Sequence, residues 1–324
     1  MNFWWSRHPL AYALLPLAAL FCAVVAVRRR LYDRGIKPVW QSPVPVVVVG
    51  NITVGGTGKT PVVIALIEAL RAQGYRPGVV SRGYGGARQD APLRVSATTS
   101  ATDAGDEPVL IHRRTNVPVC VFADRVAAAK ALIAQTDCNV IISDDGLQHY
   151  RLGRHFEVAV VDGTRRHGNG FCLPAGPLRE PVARLEAVDF VLYNGPAEAE
   201  GEAVFHLQPE AFCALGGGEA PLDHFAGRTV HAIAGTASPQ RFFASLEALG
   251  VKLRTHVFPD HHRYQREELV VLRNAPLLMT EKDAVKCQAF DLDEAWYLRV
   301  GARLPPALID KLSAALENFP HSSA

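Results

Sequence analysis

Short apolar runs alternate along the chain with stretches that have helical spacing. Val46–Val49 are four consecutive β-branched residues, which is typical of a strand buried on both faces of a sheet. Similar runs predict further strands at 77–80, 139–143, 158–162, 189–195, 229–234, 277–279 and 296–300. Helices are predicted at 61–70, 239–249 and 306–316. This alternation predicts an α/β fold in which a parallel sheet is flanked by helices.

The first thirty residues show a different pattern. Residues 9–27 contain no charge. As a helix, this run would be just long enough to cross roughly 30 Å of hydrocarbon. Trp4 and Trp5 are aromatics of the kind found at membrane interfaces, and Arg28–Arg30 follow the run at once. Because the heavier charge follows the apolar run, the segment differs from a secretory signal, and we expect the later residues to be cytoplasmic. Pro16 would kink a spanning helix, so an in-plane membrane helix remains an alternative, as does a buried core helix.

Composition and charge narrow the possible functions. Hydrophobic residues make up 48% of the 324 positions, so the chain can bury a full core. The 34 basic and 32 acidic residues leave a net charge of +2, which argues against a protein built mainly to bind nucleic acid. The six cysteines show no CxxC pair, so a reducing compartment fits better than a disulfide framework.

A glycine-rich turn follows the first predicted strand and precedes a predicted helix. This context is the one that a nucleotide-binding P-loop requires, since backbone N–H groups and the helix N-terminus surround phosphate oxygens. Thr53 stands where the general pattern GxxxxGK[ST] has glycine. We expect Lys59 to contact the β- and γ-phosphates of ATP, and the Thr60 hydroxyl to bind Mg²⁺. The predicted nucleotide-binding residues are Thr53, Gly55, Gly56, Thr57, Gly58, Lys59 and Thr60.

Two adjacent aspartates, Asp144 and Asp145, follow the predicted strand at 139–143. Carboxylates at the C-terminal end of a parallel strand lie where Mg²⁺ and phosphates gather in this kind of fold. Adjacent residues cannot both point the same way along a strand, so we expect one aspartate to bind Mg²⁺ and the other to brace the loop. Which of the two binds the metal stays open. Gln148 and His149 follow and are weaker candidates for contacting water around the metal.

An ordered set of seven segments resembles the tetraacyldisaccharide 4'-kinases of lipid A synthesis. The segments are VGNITVGGTGKTP at 49–61, SRGYGG at 81–86, GDEP at 105–108, DDGLQH at 144–149, LPAGPLREP at 173–181, FPDHHRY at 258–264 and TEKDAVK at 280–286. The resemblance covers most of the chain, and Thr53 is an ordinary feature of the family. It implies a P-loop core and a smaller second α/β domain joined by a short β linker.

The resemblance also implies a reaction and a location. ATP would phosphorylate the 4'-hydroxyl of a tetraacylated disaccharide 1-phosphate, giving the bisphosphorylated lipid A precursor known as lipid IVA. The partners implied are this lipid A disaccharide precursor and the inner leaflet of the membrane, with no nucleic acid and no obligate protein partner. We therefore expect the protein at the cytoplasmic face of the cell inner membrane, attached through its N-terminal helix.

Two catalytic residues are carried over from the family motifs. Asp106 in GDEP occupies the position of the general base, and His261 in FPDHHRY that of its hydrogen-bonding partner. His262 is the reserve candidate for the histidine, and the role of Glu107 stays open. Without the family, Asp106 would also fit an ordinary helix N-cap.

Other polar residues of the shared segments have roles that stay open. Arg82 and Tyr84 are expected to line the cleft, and Arg82 and Arg179 suit either a phosphate or a surface ion pair. The turn at 281–283 is expected near the nucleotide base, without an assigned role.

Pattern and resemblance together predict four parts of the chain. These are a membrane-associated helix at 1–35, a P-loop kinase core at 36–200, a linker at 201–225 and a smaller α/β domain at 226–324. Two other functions compete with the kinase. A P-loop GTPase would usually carry an N-K-x-D motif, which the sequence lacks. A nucleotide-binding membrane adaptor without turnover would not need Asp106 with His261.

Overall fold

The computed structural model describes residues 2–87, 89–272 and 274–319 and contains two β-sheets. The strands of the first sheet are β1 (Val46–Gly50), β2 (Pro77–Ser81), β3 (Leu93–Arg94), β4 (Val119–Val121), β5 (Val140–Asp144), β6 (Phe156–Asp162), β7 (Phe190–Asn194) and β8 (Ala203–Phe205). The strands of the second sheet are β9 (Leu207–Ala214), β10 (Glu219–Ala220), β11 (Thr229–Ala234), β12 (Lys252–Val257), β13 (Leu277–Thr280) and β14 (Ala295–Ala302).

Helices flank both sheets. They are α1 (Pro9–Ala13), α2 (Leu15–Asp33), α3 (Lys59–Ala72), α4 (Ala101–Ala104), α5 (Asp106–Thr115), α6 (Arg125–Gln135), α7 (Pro239–Ala248), α8 (Arg266–Val270), α9 (Glu281–Cys287) and α10 (Pro306–Glu317). Short 3₁₀ helices cover Asn2–Trp5 and Val182–Ala187.

The first sheet has the strand order β3-β4-β2-β5-β1-β6-β7-β8, and its strands run parallel except for the short edge strand β3. The valines of β1 are fully buried, because helices cover both faces of this central strand. Val49 pairs with Asp144, so the carboxyl ends of β1 and β5 lie side by side. The predicted α/β architecture is confirmed, and it brings the phosphate loop next to the paired aspartates.

The second sheet has the order β10-β9-β14-β13-β11-β12. Strands β11 to β14 are parallel, while β9 and β10 form an antiparallel hairpin at one edge. The segment predicted as a linker is thus mostly strand: β8 extends the first sheet, and β9 pairs with β14 of the second. Its composition, which is rich in Gly, Glu, Ala and Pro, gives no sign of which sheet each strand joins.

The last helix does not stay with the second sheet. Leu308, Leu312 and Leu316 of α10 are buried in the core of the first sheet, in the same cluster as Val47. Their spacing had predicted a helix with one apolar face, but spacing alone does not identify the surface that this face covers.

The N-terminal segment forms two helices, α1 and α2, instead of one continuous helix. Ala11 and Ala18 are buried, and Phe21 packs against the core beneath β1. Trp4 donates its indole N–H to the Pro174 carbonyl at 2.9 Å, so it is held by the protein. Among the described residues, no helix combines the length and apolar character needed to cross a membrane.

Candidate functional site: a phosphate loop beside an aspartate–histidine pair

The phosphate loop runs from the end of β1 to the start of α3. Gly58 is the N-cap of α3 with φ of 91°, a left-handed conformation that glycine adopts without strain. A Cβ at this position would meet the Asn194 amide nitrogen at 2.6 Å, so close approach also requires glycine. Lys59 and Thr60 form the first turn of the helix, whose free N–H groups carry a partial positive charge. The loop has the geometry of an anion-binding site.

Three contacts hold the loop in place. Asn194, at the end of β7, donates to the Thr57 carbonyl at 3.1 Å. The backbone N–H of Val54 donates to the Pro177 carbonyl at 2.9 Å, and Thr53 forms an isolated bridge with Leu178. The segment before Arg179 therefore fixes the start of the loop, and Thr53 is buried there as a structural residue.

Asp144 is the last residue of β5 and is almost completely buried. Its Oδ2 accepts a hydrogen bond from the Ser81 hydroxyl at 3.1 Å. Its Oδ1 is buried and has no hydrogen-bond partner among the described residues. Burial, reinforced by the negative charges of Glu107 and Asp145, raises the pKa of Asp144 to about 7. An unpartnered carboxylate oxygen in such a place is suited to binding a cation.

Asp145 has a different environment. Its backbone adopts a positive φ of 49°, a left-handed conformation that is uncommon for a residue other than glycine. It lies 3.4 Å from the Lys59 ammonium and accepts a hydrogen bond from Arg179 at 2.9 Å. Burial acts to raise the pKa of Asp145, but these two cations outweigh it and lower the pKa to about 2. Arg179 is thus engaged in an ion pair within the site.

Gln148 and His149 were predicted as weak candidates for water contacts. Gln148 donates to the Asn51 carbonyl at 3.0 Å and to Glu180 at 2.9 Å, so it ties the acidic loop to the phosphate loop. Burial and the nearby Arg125 lower the pKa of His149 to about 4. Neither residue has a described contact with Asp144.

Asp106, at the start of α5, meets His261, in the loop after β12. His261 Nδ1 lies 3.1 Å from Asp106 Oδ2 and 3.3 Å from Oδ1. Asp106 is the first residue of α5, after the N-cap Gly105, so the alternative reading of Asp106 as an N-cap is wrong. His262 points elsewhere and contacts Glu268 at 3.1 Å.

The surroundings of this pair set its charge. Burial raises the pKa of Asp106, but the hydrogen bond with His261 and the charge of Lys282 outweigh it and leave the pKa below its usual value. The hydrogen bond to Asp106 raises the pKa of His261 against burial and Lys282. Ser81 binds Asp144, and Tyr84, three positions further along the chain, packs on His261, so the pair lies close to the acidic end of β5.

The SRGYGG segment packs on this pair. The Tyr84 ring meets the His261 ring edge-on at 5.0 Å, and Tyr84 is exposed at the mouth of the cleft. Position 105 requires glycine for two reasons. Its φ is positive, at 89°, and a Cβ there would lie 2.6 Å from the Tyr84 carbonyl oxygen. Arg82 is exposed, and its charge helps burial to lower the pKa of Arg125.

The sequence did not reveal the contacts of two site residues. Asn194 ends an unremarkable apolar strand, and nothing in its local pattern marks it as a partner of the phosphate loop. Lys282 belongs to a segment predicted as a polar turn, but residues 281–287 form α9, capped by the Thr280 hydroxyl. Its ammonium lies against the Asp106–His261 pair.

The donors near the phosphate loop fit Mg²⁺. Asp144 offers an unpartnered oxygen and Thr60 a hydroxyl, which are ligands that this ion prefers. No cluster of three or more His, Cys, Asp or Glu side chains that could hold a metal occurs within the described residues. Mg²⁺ is usually held by one or two carboxylates together with substrate phosphates and water.

Comparisons with known proteins place this site in a family. Residues 10–317 match the family model described as tetraacyldisaccharide-1-P 4'-kinase. The tetraacyldisaccharide 4'-kinase of Pseudomonas aeruginosa is 51% identical over 98% of this chain and 96% of its own length. That of Azotobacter vinelandii is 51% identical over 99% of this chain and 97% of its own.

A solved structure agrees with the sequence comparisons. The crystal structure of LpxK from Aquifex aeolicus in complex with ATP matches with a TM-score of 0.80 and 29% identity. The match covers 95% of this chain and 99% of that one. Sequence, fold and the ordered motifs lead to one assignment, that this chain belongs to the tetraacyldisaccharide 4'-kinase family.

Proposed function

We propose that the protein transfers the γ-phosphoryl group of ATP to the 4'-hydroxyl of a tetraacyldisaccharide 1-phosphate. The observation that carries the proposal is the Asp106–His261 pair, 3.1 Å apart, beside the buried acidic end of β5 and the phosphate loop. This arrangement would bring phosphate binding and proton acceptance together in one cleft, which an adaptor without turnover would not need.

The nucleotide would lie on the phosphate loop. Lys59 and the N-terminus of α3 supply positive charge for the β- and γ-phosphates. Lys59 is half-buried and already oriented by Asp145, so it needs little reordering to contact a phosphate. The ATP bound to the Aquifex LpxK supports ATP as the donor.

Mg²⁺ would be held by Asp144 and Thr60. When bound, the ion would neutralise charge on the transferred phosphoryl group. The unpartnered Oδ1 of Asp144 supports it as the ligand, while the pairing of Asp145 with Lys59 and Arg179 supports a bracing role for Asp145. We therefore assign the direct metal contact to Asp144.

Asp106 would accept the proton of the 4'-hydroxyl. The O–H bond breaks as the new O–P bond forms, and the bond from the γ-phosphorus to the bridging oxygen breaks, with ADP leaving with the electron pair. Because its pKa lies below the usual value, Asp106 is ionised at neutral pH and ready to accept. His261 orients the carboxylate, and its positive φ of 60° shows that the loop holds it in an uncommon conformation.

The N-terminal helices would attach the protein to the cytoplasmic face of the inner membrane, lying in its plane. Leu17, Leu20, Val24 and Val27 are all more than half exposed and recur every three to four residues along α2. Arg28–Arg30 continue the same helix and could attract anionic headgroups, with roughly 1 kcal/mol per charge near the surface. Such an anchor would place the cleft near a lipid acceptor.

The test is direct transfer with a defined acceptor. Purified protein is incubated with γ-labelled ATP and either tetraacyldisaccharide 1-phosphate or its 4'-deoxy analogue. We expect label only in the first lipid, and ³¹P NMR should locate the new phosphate at the 4' carbon. Label in the 4'-deoxy lipid, or hydrolysis of ATP without lipid labelling, would contradict the proposal.

A further inference from the structure

Lys282 lies at the centre of a charged cluster around the Asp106–His261 pair, and the proposed reaction assigns it no role. It is the second residue of α9, and its side chain is only 19% exposed. Its ammonium lies 3.3 Å from His261 Nε2, 3.4 Å from Asp260 Oδ1, 3.5 Å from Glu107 Oε1 and 3.9 Å from Asp106 Oδ2. The lysine therefore contacts both members of the Asp106–His261 pair. It meets the His261 ring at Nε2, on the side opposite the Nδ1 atom that faces Asp106.

The contact determines which nitrogen of His261 carries the proton. Burial lowers the pKa of Lys282, but the carboxylates of Glu107, Asp106 and Asp260 outweigh burial, and the net pKa is raised. The ammonium is therefore charged, and it can only donate a hydrogen bond. His261 Nε2 must accept it, so the proton of the neutral ring sits on Nδ1 and is donated to Asp106.

Charges from every neighbouring element act on the pair. The pKa of Asp106 is affected by the charges of His261, in the loop after β12, and of Lys282 and Lys286, on α9. The pKa of His261 is affected by the charges of Asp106, Lys282 and Asp260. Glu107 faces Lys282, and the Tyr84 ring faces His261. Within this set, Lys282 disfavours a proton on Asp106 and also disfavours a second proton on His261. Its charge acts in the same direction on both groups.

We propose that Lys282 is a positioning residue for the phosphoryl transfer: it holds His261 in the Nδ1–H form and keeps the Asp106–His261 pair free to accept the hydroxyl proton. The inference rests on the proposed role of Asp106 as the base. Lys282 acts through the pair and is not assigned a contact with either substrate. Its position on α9 makes the second sheet a contributor to the chemistry of the first.

The first experiment compares pH profiles of kcat/KM for the acceptor, at saturating ATP. Lys282→Met removes the charge with little change in length, Lys282→Arg keeps the charge, and Lys252→Met removes an exposed charge from β12 as a matched control. Without the lysine charge, the pair takes up a proton at higher pH. Because the base must be proton-free, the acidic limb for Lys282→Met should move to higher pH.

The loss in Lys282→Met should thus be largest at low pH and should shrink as the pH rises, with the KM for ATP unchanged. Lys282→Arg should restore the limb toward the wild-type position, and Lys252→Met should match the wild type throughout. A pH-independent loss in Lys282→Met, or a Lys282→Arg variant as impaired as Lys282→Met, would overturn the inference by showing a merely structural role.

A second measurement needs no variant of Lys282. In ¹⁵N-histidine-labelled wild-type protein, the resonances absent from His261→Asn identify His261. A protonated Nδ1 and an unprotonated Nε2 at neutral pH support the inference, and the opposite tautomer overturns it. Asp106→Asn separates the two proposals: if it keeps its activity, the base assignment itself fails. If Asp106→Asn is inactive while the profile of Lys282→Met equals the wild type, only the role of Lys282 fails.

Discussion

The ammonium of Lys59 lies 3.4 Å from Oδ1 of Asp145, so the lysine of the phosphate loop pairs with the second aspartate of DDGLQH and not with the first. This pairing balances Asp145, which also accepts from Arg179, and leaves the deeper Asp144 with a buried oxygen that has no partner among the described residues. The two adjacent carboxylates therefore differ in charge environment, and we expect their variants to differ in phenotype.

Asp144→Asn should weaken the apparent affinity for Mg²⁺ more than Asp145→Asn does. Loss of a group behind a metal ligand typically costs about 10–100-fold in metal affinity, so loss of the ligand itself should cost at least that much. The measurement is initial rate against Mg²⁺ concentration at fixed ATP. Excess Mg²⁺ should partly rescue Asp144→Asn. If Asp145→Asn instead carries the larger shift, the assignment of the ligand is reversed.

Lys59→Ala should abolish most transfer without unfolding the protein. The variant removes the cation expected at the β- and γ-phosphates, and the loss of one preorganised charge contact at a transition state typically costs about 10²–10³ in rate. Circular dichroism and thermal unfolding should remain close to the wild type, because Arg179 still balances Asp145. Near-normal turnover of a folded Lys59→Ala protein would refute the nucleotide site.

Asp106 and His261 should behave as one unit in a double-mutant cycle. We choose Asp106→Asn and His261→Asn, since asparagine tolerates the positive φ at position 261 better than alanine. Each single variant should lower kcat by about 10²–10⁴, the usual contribution of general-base assistance. The double variant should be little worse than either single one, because removing either residue breaks the same unit.

The KM for ATP is the internal control of this cycle, and it should change little, because neither residue belongs to the phosphate loop. Additive losses in kcat would show that the two residues act independently. A small effect of Asp106→Asn would transfer the base role to another carboxylate, with Glu107 the first to test.

Much of the fold could be predicted because its signals are local. The β-branched run of β1 predicts a buried strand, and the glycines before Lys59 predict a tight loop. The strand at Thr229–Ala234 was predicted with the bounds that the structure has. The placement of α10 on the first sheet was missed, because an amphipathic pattern shows which face is buried and not what buries it. Residues 281–283 were predicted as a turn since their three charges hide the short helix α9.

The site was predictable where a motif carries it and not where tertiary contacts do. Asp106 and His261 are 155 positions apart, and their meeting followed from the family resemblance and not from spacing. Asn194 reaches the site through the packing of β7, which no local pattern reveals. Lys282 belongs to a shared segment that was expected near the nucleotide base, and its contact with His261 follows from the packing of α9. The difference between Asp144 and Asp145 depends on the partners of each carboxylate, so it also required the structure.

The exposed apolar stripe of α2 predicts how the protein meets a membrane. Leu17, Leu20 and Val24 are 55%, 63% and 59% exposed, and a helix lying in the membrane plane would bury them in the acyl boundary. Their combined replacement by Glu should release the protein from liposomes that contain anionic lipid, as measured by flotation. Since these side chains are already exposed, thermal unfolding should change little.

Val271→Glu is the control for this prediction, because Val271 is 77% exposed and lies far along the chain from the N-terminal helices. This variant should float with the liposomes as the wild type does. With a water-dispersed acceptor of short acyl chains, the triple variant should keep its kcat, because the stripe does not touch the Asp106–His261 pair. If the triple variant still floats, another surface attaches the protein; if it loses kcat on the dispersed acceptor, the helix contributes to the site itself.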